Sequence, residues 1–463
     1  MIARAKWKLR HRGMALLVGG WAAAIALAPG VALKAALAAP ALVLPTAWWI
    51  LERPARWIPL FLAAALLLPP LPIPIGDSGP HPCLLLALVG LLCGLAQLRD
   101  WRVRISSLSA ALIALFGLLL ASVASAAWRS GAEVAAGSLA RVALFGISVY
   151  VFCYTSCIRD AARRPALAAL YWMAVAAALF ACVDFYYQFP APAGYGPQFV
   201  WLDSGVYRRA QGLFYEASTL GNFCAFFLLM IVVAFSRPRA DAPVSRKALA
   251  AGGAVFFAAL VLSYSRACLV NVLVGCVALA WLNRRRVRLG RIAIVAAVCA
   301  TAGALMVWRL FPVFAETYWL RLSSSAEFLL TSPEGVLSGR VQSWQTLAAW
   351  IAANPWQTLL GIGYKSLPYT SYVGSPVVAD NMYLSILVET GVAGLAALLW
   401  VNWAVLRAAA RAARNADPRT SFLGTWMLCF WCGQIVEMFS SDLLTYWRVL
   451  PVYFWVLALA ARA

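Results

Sequence analysis

Blocks of apolar residues long enough to cross a lipid bilayer follow one another along this chain, separated mostly by short polar connectors. They fall near residues 14–32, 34–51, 56–72, 82–98, 106–127, 139–158, 166–188 and 217–235. Six more lie near 247–264, 267–283, 290–311, 381–406, 420–440 and 446–461. The pattern predicts an all-α integral membrane protein of about 14 transmembrane helices. Its weakest part is the early hairpin, where the second block contains Pro40 and Pro45 and the third is short. Two connectors are longer than the rest and divide the chain. The N-terminal helices occupy 1–188, an outer loop 189–216, further helices 217–311, a large outer loop 312–380 and the last helices 381–463. Long connectors in a chain of short ones commonly carry function.

Parity and charge set the orientation. With a cytoplasmic N-terminus and one crossing per block, 27 of the 38 Lys and Arg fall on the cytoplasmic side, as the positive-inside rule requires. They include Arg99, Arg159, Arg163, Arg237, Arg246, Arg284 to Arg286, Arg411 and Arg414. Removing one early span inverts every later loop and destroys the bias. Both termini are therefore expected in the cytoplasm.

The large loop is patterned. From Ser338 to Trp356, SGRVQSWQTLAAWIAANPW places Val341, Trp344, Leu347, Ala348 and Ile351 at helical spacing. Such a helix either lies in the membrane interface or packs as a lid on the bundle, and in both cases covers the outer mouth of the spans.

Composition agrees with the blocks: 63% of the 463 residues are hydrophobic, 12% are charged and the mean hydropathy is +0.80. The net charge of +21 comes from short clusters between apolar runs, which suits anionic headgroups and not nucleic acid. The basic start, Arg4 to Arg12, runs into a hydrophobic stretch with no small-residue cleavage site and reads as a retained first span. The eleven cysteines lie almost wholly inside apolar segments. Cys429 and Cys432 form a CxxC with no second ligand pair, so packing is expected and no metal site is predicted.

Positive charge is disfavoured outside, so the eleven outer cations need individual reasons. Arg208, Arg209, Arg321, Arg340 and Lys365 lie in or beside the long loops, and Arg266 lies in the short turn SYSRA. Arginine offers a planar fork of donors that matches phosphate oxygens and stays charged. Snorkelling toward headgroups is the ordinary alternative for each, although the short turn restricts Arg266. Outer carboxylates are Asp203, Glu216, Asp380, Glu389, Glu437 and Asp442. Glu216 and Asp380 begin spans, where capping is the structural role, while a carboxylate near arginines could also act as general base toward a sugar hydroxyl. There is no Walker A sequence and no DxD pair. GIGYKS at Gly361 to Ser366 is a glycine turn on the wrong side for a nucleotide.

Read in order, RRAQGLFYEAS (Arg208 to Ser218), SYSRA (Ser263 to Ala267), SGR…W (Ser338 to Trp344), NPW (Asn354 to Trp356), GIGY (Gly361 to Tyr364) and DNMYLSILVETGVAGL (Asp380 to Leu395) resemble the bacterial O-antigen polymerase and O-antigen ligase family. The resemblance covers roughly 205 to 400, and the N-terminal third matches only as hydrophobic helices. It implies a GT-C-like membrane glycosyltransferase in the bacterial inner membrane with a periplasmic site. Its donor and acceptor would be glycans on undecaprenyl pyrophosphate, and its chemistry would be inverting and independent of metal or cofactor. A chain-length regulator and a flippase are the implied partners. By position, Arg209 and Arg266 fall where the family binds pyrophosphate, with Arg340 a third contact. Asp380 stands where ligase members typically carry histidine, which points toward a repeat-unit polymerase for O-antigen or exopolysaccharide and away from a lipid A core ligase. Asp380 first and Glu216 second are the candidate bases. Arg208, Tyr364, Lys365 and Asn381 are supporting candidates. A lipid or glycan transporter is the competing class, but no matching halves are visible.

Overall fold

The computed structural model describes residues 17–71, 80–101, 106–157, 164–191, 195–202, 205–238, 242–284 and 340–462, with parts of 308–323. The predicted run at 290–311, and Asp203 and Arg321, lie essentially outside these residues. The chain divides into two units. One holds residues 1–58 and 85–98, and the other holds 59–84 and 99–463.

In the first unit, α1 (Leu17–Leu27) is followed by α2 (Val31–Glu52). The doubtful second span is one continuous helix, with Pro40 and Pro45 inside it. An apolar helix tolerates prolines in this way when neighbouring turns adjust to satisfy the freed carbonyls. The helices α3 (Trp57–Leu67) and α4 (Cys83–Ala96) each divide between the two units.

The second unit is a bundle. Its helices are α5 (Ser107–Ser130), α6 (Ala132–Cys157), α7 (Arg164–Tyr187), α8 (Ala217–Phe235), α9 (Arg246–Leu262) and α10 (Arg266–Asn283). After the large loop, which contains α11 (Arg340–Ala353) and α12 (Pro355–Leu360), come α13 (Met382–Ala413), α14 (Pro418–Glu437) and α15 (Leu450–Ala461). Caps fix several starts: Ser106 and Ser109 form a capping box for α5, and Asp417 accepts from the Thr420 amide at 2.8 Å with Pro418 as the first residue of α14. Six described helices are long and apolar enough to cross a membrane: α5, α6, α7, α8, α10 and α13. Shorter apolar helices, among them α1, α3, α4 and α15, accompany them. The protein is therefore multi-pass.

The helix α8 is the axis, with 78% of its most apolar stretch buried. It packs on α9, α10 and α14, and α14 in turn on α10, α13 and α15. Trp426 donates its indole N–H to the Phe226 carbonyl at 2.8 Å, while the Phe226 ring lies 4.3 Å from Trp426 and 4.5 Å from Tyr453. These rings fill the bundle centre.

One departure from the all-helical expectation lies in the first long loop. Residues Phe199–Leu202 (β1) and Gly205–Arg208 (β2) pair antiparallel, with Phe199 opposite Arg208. The predicted loop helix exists as α11. It serves as a lid: Leu347, fully buried, packs with Ile362, Leu367, Val377, Ala379 and Val388, and Trp344 donates to the Ala379 carbonyl at 2.7 Å.

Candidate active site

Antiparallel succession brings the ends of α5, α7, α9 and α14 and the starts of α6, α8, α10, α13 and α15 to one end of the second unit. Hydrogen bonds from backbone amides tie the connectors and helix ends there to one another. The Ala210 amide donates to the Leu262 carbonyl at 2.9 Å, Met382 to Met438 at 2.9 Å and Tyr364 to the Ser122 hydroxyl at 3.1 Å. The basic residues Arg237, Arg246, Arg284, Arg411 and Arg414 lie at the opposite helix ends.

Arg209 follows directly on β2. Its amide donates to Gln198 at 2.8 Å, and its guanidinium Nε donates to the Ser263 carbonyl at 2.8 Å. That second bond fastens it to the turn that precedes Arg266, the first residue of α10. The turn approaches α8 closely because position 221 is glycine: a Cβ there would lie 2.9 Å from the Cys268 sulfur and 3.0 Å from the Ser263 hydroxyl. Arg266 lies within electrostatic reach of both Arg209 and Arg340. Burial, reinforced by Arg340, pulls the Arg209 guanidinium below its usual pKa, against the opposing influence of Cys268, Tyr446 and Glu216. Three arginines from three separate segments therefore share one partly dry place.

Two carboxylates lie among them. Asp380, with φ of 44°, pairs with Arg340 at 3.0 Å. It does not cap α13, since the neighbouring Asn381 does so by accepting from the Leu384 amide at 3.1 Å. Glu216 occupies the cap position of α8 without capping it, and accepts instead from the Thr219 hydroxyl at 2.6 Å. Burial raises the Glu216 pKa above the ordinary glutamate value, against the hydrogen bond from Thr219 and the charges of Lys365 and Arg209, and Asp380 adds to the rise. Neither carboxylate is thus committed to its helix end.

Lys365, in the left-handed region at φ 57°, reaches Asp442 at 2.5 Å. Burial would depress its pKa, but Asp442 and Glu389 outweigh burial and raise it, so the ammonium persists. The other supporting candidates have contacts of their own. Arg208 pairs with Asp184 of α7 at 3.6 Å and braces the hairpin. Tyr364 is 1% exposed and packs beneath the loop, and Asn381 is the cap just described.

The glycines of GIGY have a steric reason. Helix α13 kinks at Gly391, where φ is 78°, and the loop pairs with the kink through Ile362 N–H to Val388 at 3.0 Å and Gly363 N–H to Glu389 at 2.7 Å. A Cβ on Gly361 would lie 2.5 Å from the Glu389 carbonyl oxygen. Backbone must touch backbone here.

Sequence reasoning passed over Arg448, which is 4% exposed. It donates to Ala65 at 3.0 and 2.7 Å, to Leu68 at 2.9 Å, and to Leu213 beside the site. It satisfies carbonyls at the end of α3 and fixes the turn that leads to Glu216. Its signal was available: it is one of the outer cations that the charge rule disfavours. Glu437 is likewise buried, taking amide hydrogens from Asn222 at 2.8 Å and Asn271 at 2.7 Å. The described cysteines, Cys429 and Cys432 included, are free.

The protein is thus of the multi-pass membrane class, with a cation-rich, carboxylate-bearing cluster at one end of the second unit's bundle. Residues 251–399 match the family model described as O-antigen ligase, and the match supports the O-antigen ligase and polymerase family. It covers most of α9, all of α10 to α12 and the first part of α13, hence Arg266, Arg340, Lys365 and Asp380; Arg209 and Glu216 precede it. No curated protein matches the chain.

Proposed function

We propose that this protein is a membrane glycosyltransferase that polymerises oligosaccharide repeat units carried on undecaprenyl pyrophosphate, working at the periplasmic face of the bacterial inner membrane. The observation that carries this reading is the meeting of Arg209, Arg266 and Arg340 around Glu216 and Asp380. Three fixed guanidinium groups suit a diphosphate whose negative charge grows as it departs.

In the reaction, the donor's bond between the anomeric carbon and the diphosphate oxygen breaks. A bond from the acceptor hydroxyl oxygen to that carbon forms on the opposite face, and the hydroxyl proton passes to a carboxylate. Asp380 is held by Arg340 until a diphosphate competes for the guanidinium, so donor binding would free the base at the moment it is needed. Glu216 is the second reading for the base, favoured by its raised pKa, since a carboxylate nearer neutrality accepts a proton more effectively. Aspartate in place of the ligase histidine favours polymerisation over transfer to lipid A core.

Purified protein incubated with lipid-linked repeat units tests the proposal. Longer lipid-linked glycans are expected. Transfer only to lipid A core would make it a ligase, and no new glycosidic bond would favour a transporter.

A further inference from the structure

Two of the outer cations take no part in the site above. Arg129 is in the last turn of α5, where the helix dipole favours a cation. Arg141 has no such reason, because it lies well inside α6 and is half-buried. Its guanidinium turns back toward the helix start and passes Gly137, where a Cβ would lie 3.2 Å from Nη1. It then donates to the Tyr369 hydroxyl at 2.6 Å and lies 4.8 Å over that ring. Arg129 lies 5.5 Å over Tyr372, and its Nη1 is buried with no hydrogen-bond partner. A bond from Ser130 to Thr370 at 3.1 Å holds the two halves together. Trp128, 87% exposed at the same helix end, marks the level at which indoles sit among headgroups.

The same connector, 361–372, carries both the tyrosines that contact this pair and Lys365. Arg141 is within electrostatic reach of Lys365, and Lys365 of Glu216. The proposed reaction needs a second anion site near the first. The donor loses its diphosphate, but the acceptor keeps its own, at the far end of the repeat unit whose near end offers the hydroxyl. Two lipid diphosphates must therefore be held at once, the donor's at the reacting carbon and the acceptor's a repeat unit away from it.

We infer that Arg129 and Arg141, backed by Tyr372 and Tyr369, form a second lipid-phosphate site that holds the diphosphate of the acceptor. The inference rests on the polymerase reading. Its chemistry is shared by anionic phospholipid headgroups, so the test separates the two sources.

The protein in phosphatidylcholine nanodiscs, titrated with undecaprenyl diphosphate, should bind two molecules by native mass spectrometry. Arg129→Gln with Arg141→Gln should bind one, and so should Arg209→Gln with Arg266→Gln. Arg129→Lys with Arg141→Lys, which keeps the charge, should recover the second molecule and shows that the fold tolerates change here. With a preformed polymer donor, the Gln pair should raise the acceptor KM about tenfold or more while kcat and the donor KM hold, the loss expected for a charged hydrogen bond. Two molecules still bound by the Gln pair, or ready displacement of the second by phosphatidylglycerol, would overturn the site. A wild type that polymerises yet binds one molecule sinks this inference alone. One that binds two and forms no glycosidic bond sinks the polymerase reading and leaves the phosphate site standing.

Discussion

At the residue scale, a single backbone acceptor does much of the positioning. Arg209 donates to the carbonyl of Ser263, three residues before Arg266, so its guanidinium is tethered to the turn that carries Arg266. Arg266→Ala should lower the polymerisation rate about a hundredfold or more, on the order of 3 kcal/mol for a lost transition-state donor, with expression unchanged. Near-normal chain length in that variant would remove the clamp. The base is separable by pH. A base must be ionised, and burial raises the Glu216 pKa above its ordinary 4.5, so a rate governed by Glu216 climbs with pH through a limb lying above that value. Glu216→Gln should abolish that limb, and Asp380→Asn retaining full turnover would move the role from Asp380 to Glu216.

At the element scale, the kink in α13 joins the large loop to the bundle. Gly391 adopts φ of 78°, and a Cβ there would stand 2.2 Å from the Leu359 carbonyl oxygen. Gly391→Ala should destabilise the protein by about 2 kcal/mol or more, from the strained backbone and the close approach together. A lowered unfolding midpoint in detergent is the expected reading, and an unchanged midpoint would show that the kink is not constrained. The helix α11 tells a related story. Its stripe of Val341, Trp344, Leu347 and Ile351 was legible at helical spacing, yet amphipathicity alone could not choose between lipid and protein as the partner. Leu347 lies inside the loop's own core, while Val341, Trp344 and Ile351 stay half-buried.

At the scale of the whole molecule, every connector that carries a candidate residue gathers at one end of the bundle, opposite the basic turns. Cysteine introduced at Trp356, which is 80% exposed, should react with a membrane-impermeant maleimide on spheroplasts. Cysteine at Arg411 should react only after the membrane is opened. The reverse pattern would place Arg209 and Arg266 in the cytosol and end the proposal.

Hydropathy accumulates locally along a chain, so most of the described helices and the unusual arginines were legible in the residues alone. Contact between segments is a different kind of fact. Nothing in the residues from 208 to 218 states that Arg209 will meet a turn more than fifty positions later, or that Asn381 will cap α13 and leave Asp380 to Arg340. Which polar group finds which partner depends on packing and on the hydrogen bonds left open by neighbouring backbone. It is folding in three dimensions that sets Arg208 against Asp184, buries Tyr364 and lets Arg448 tie the turn before Glu216 to the end of α3.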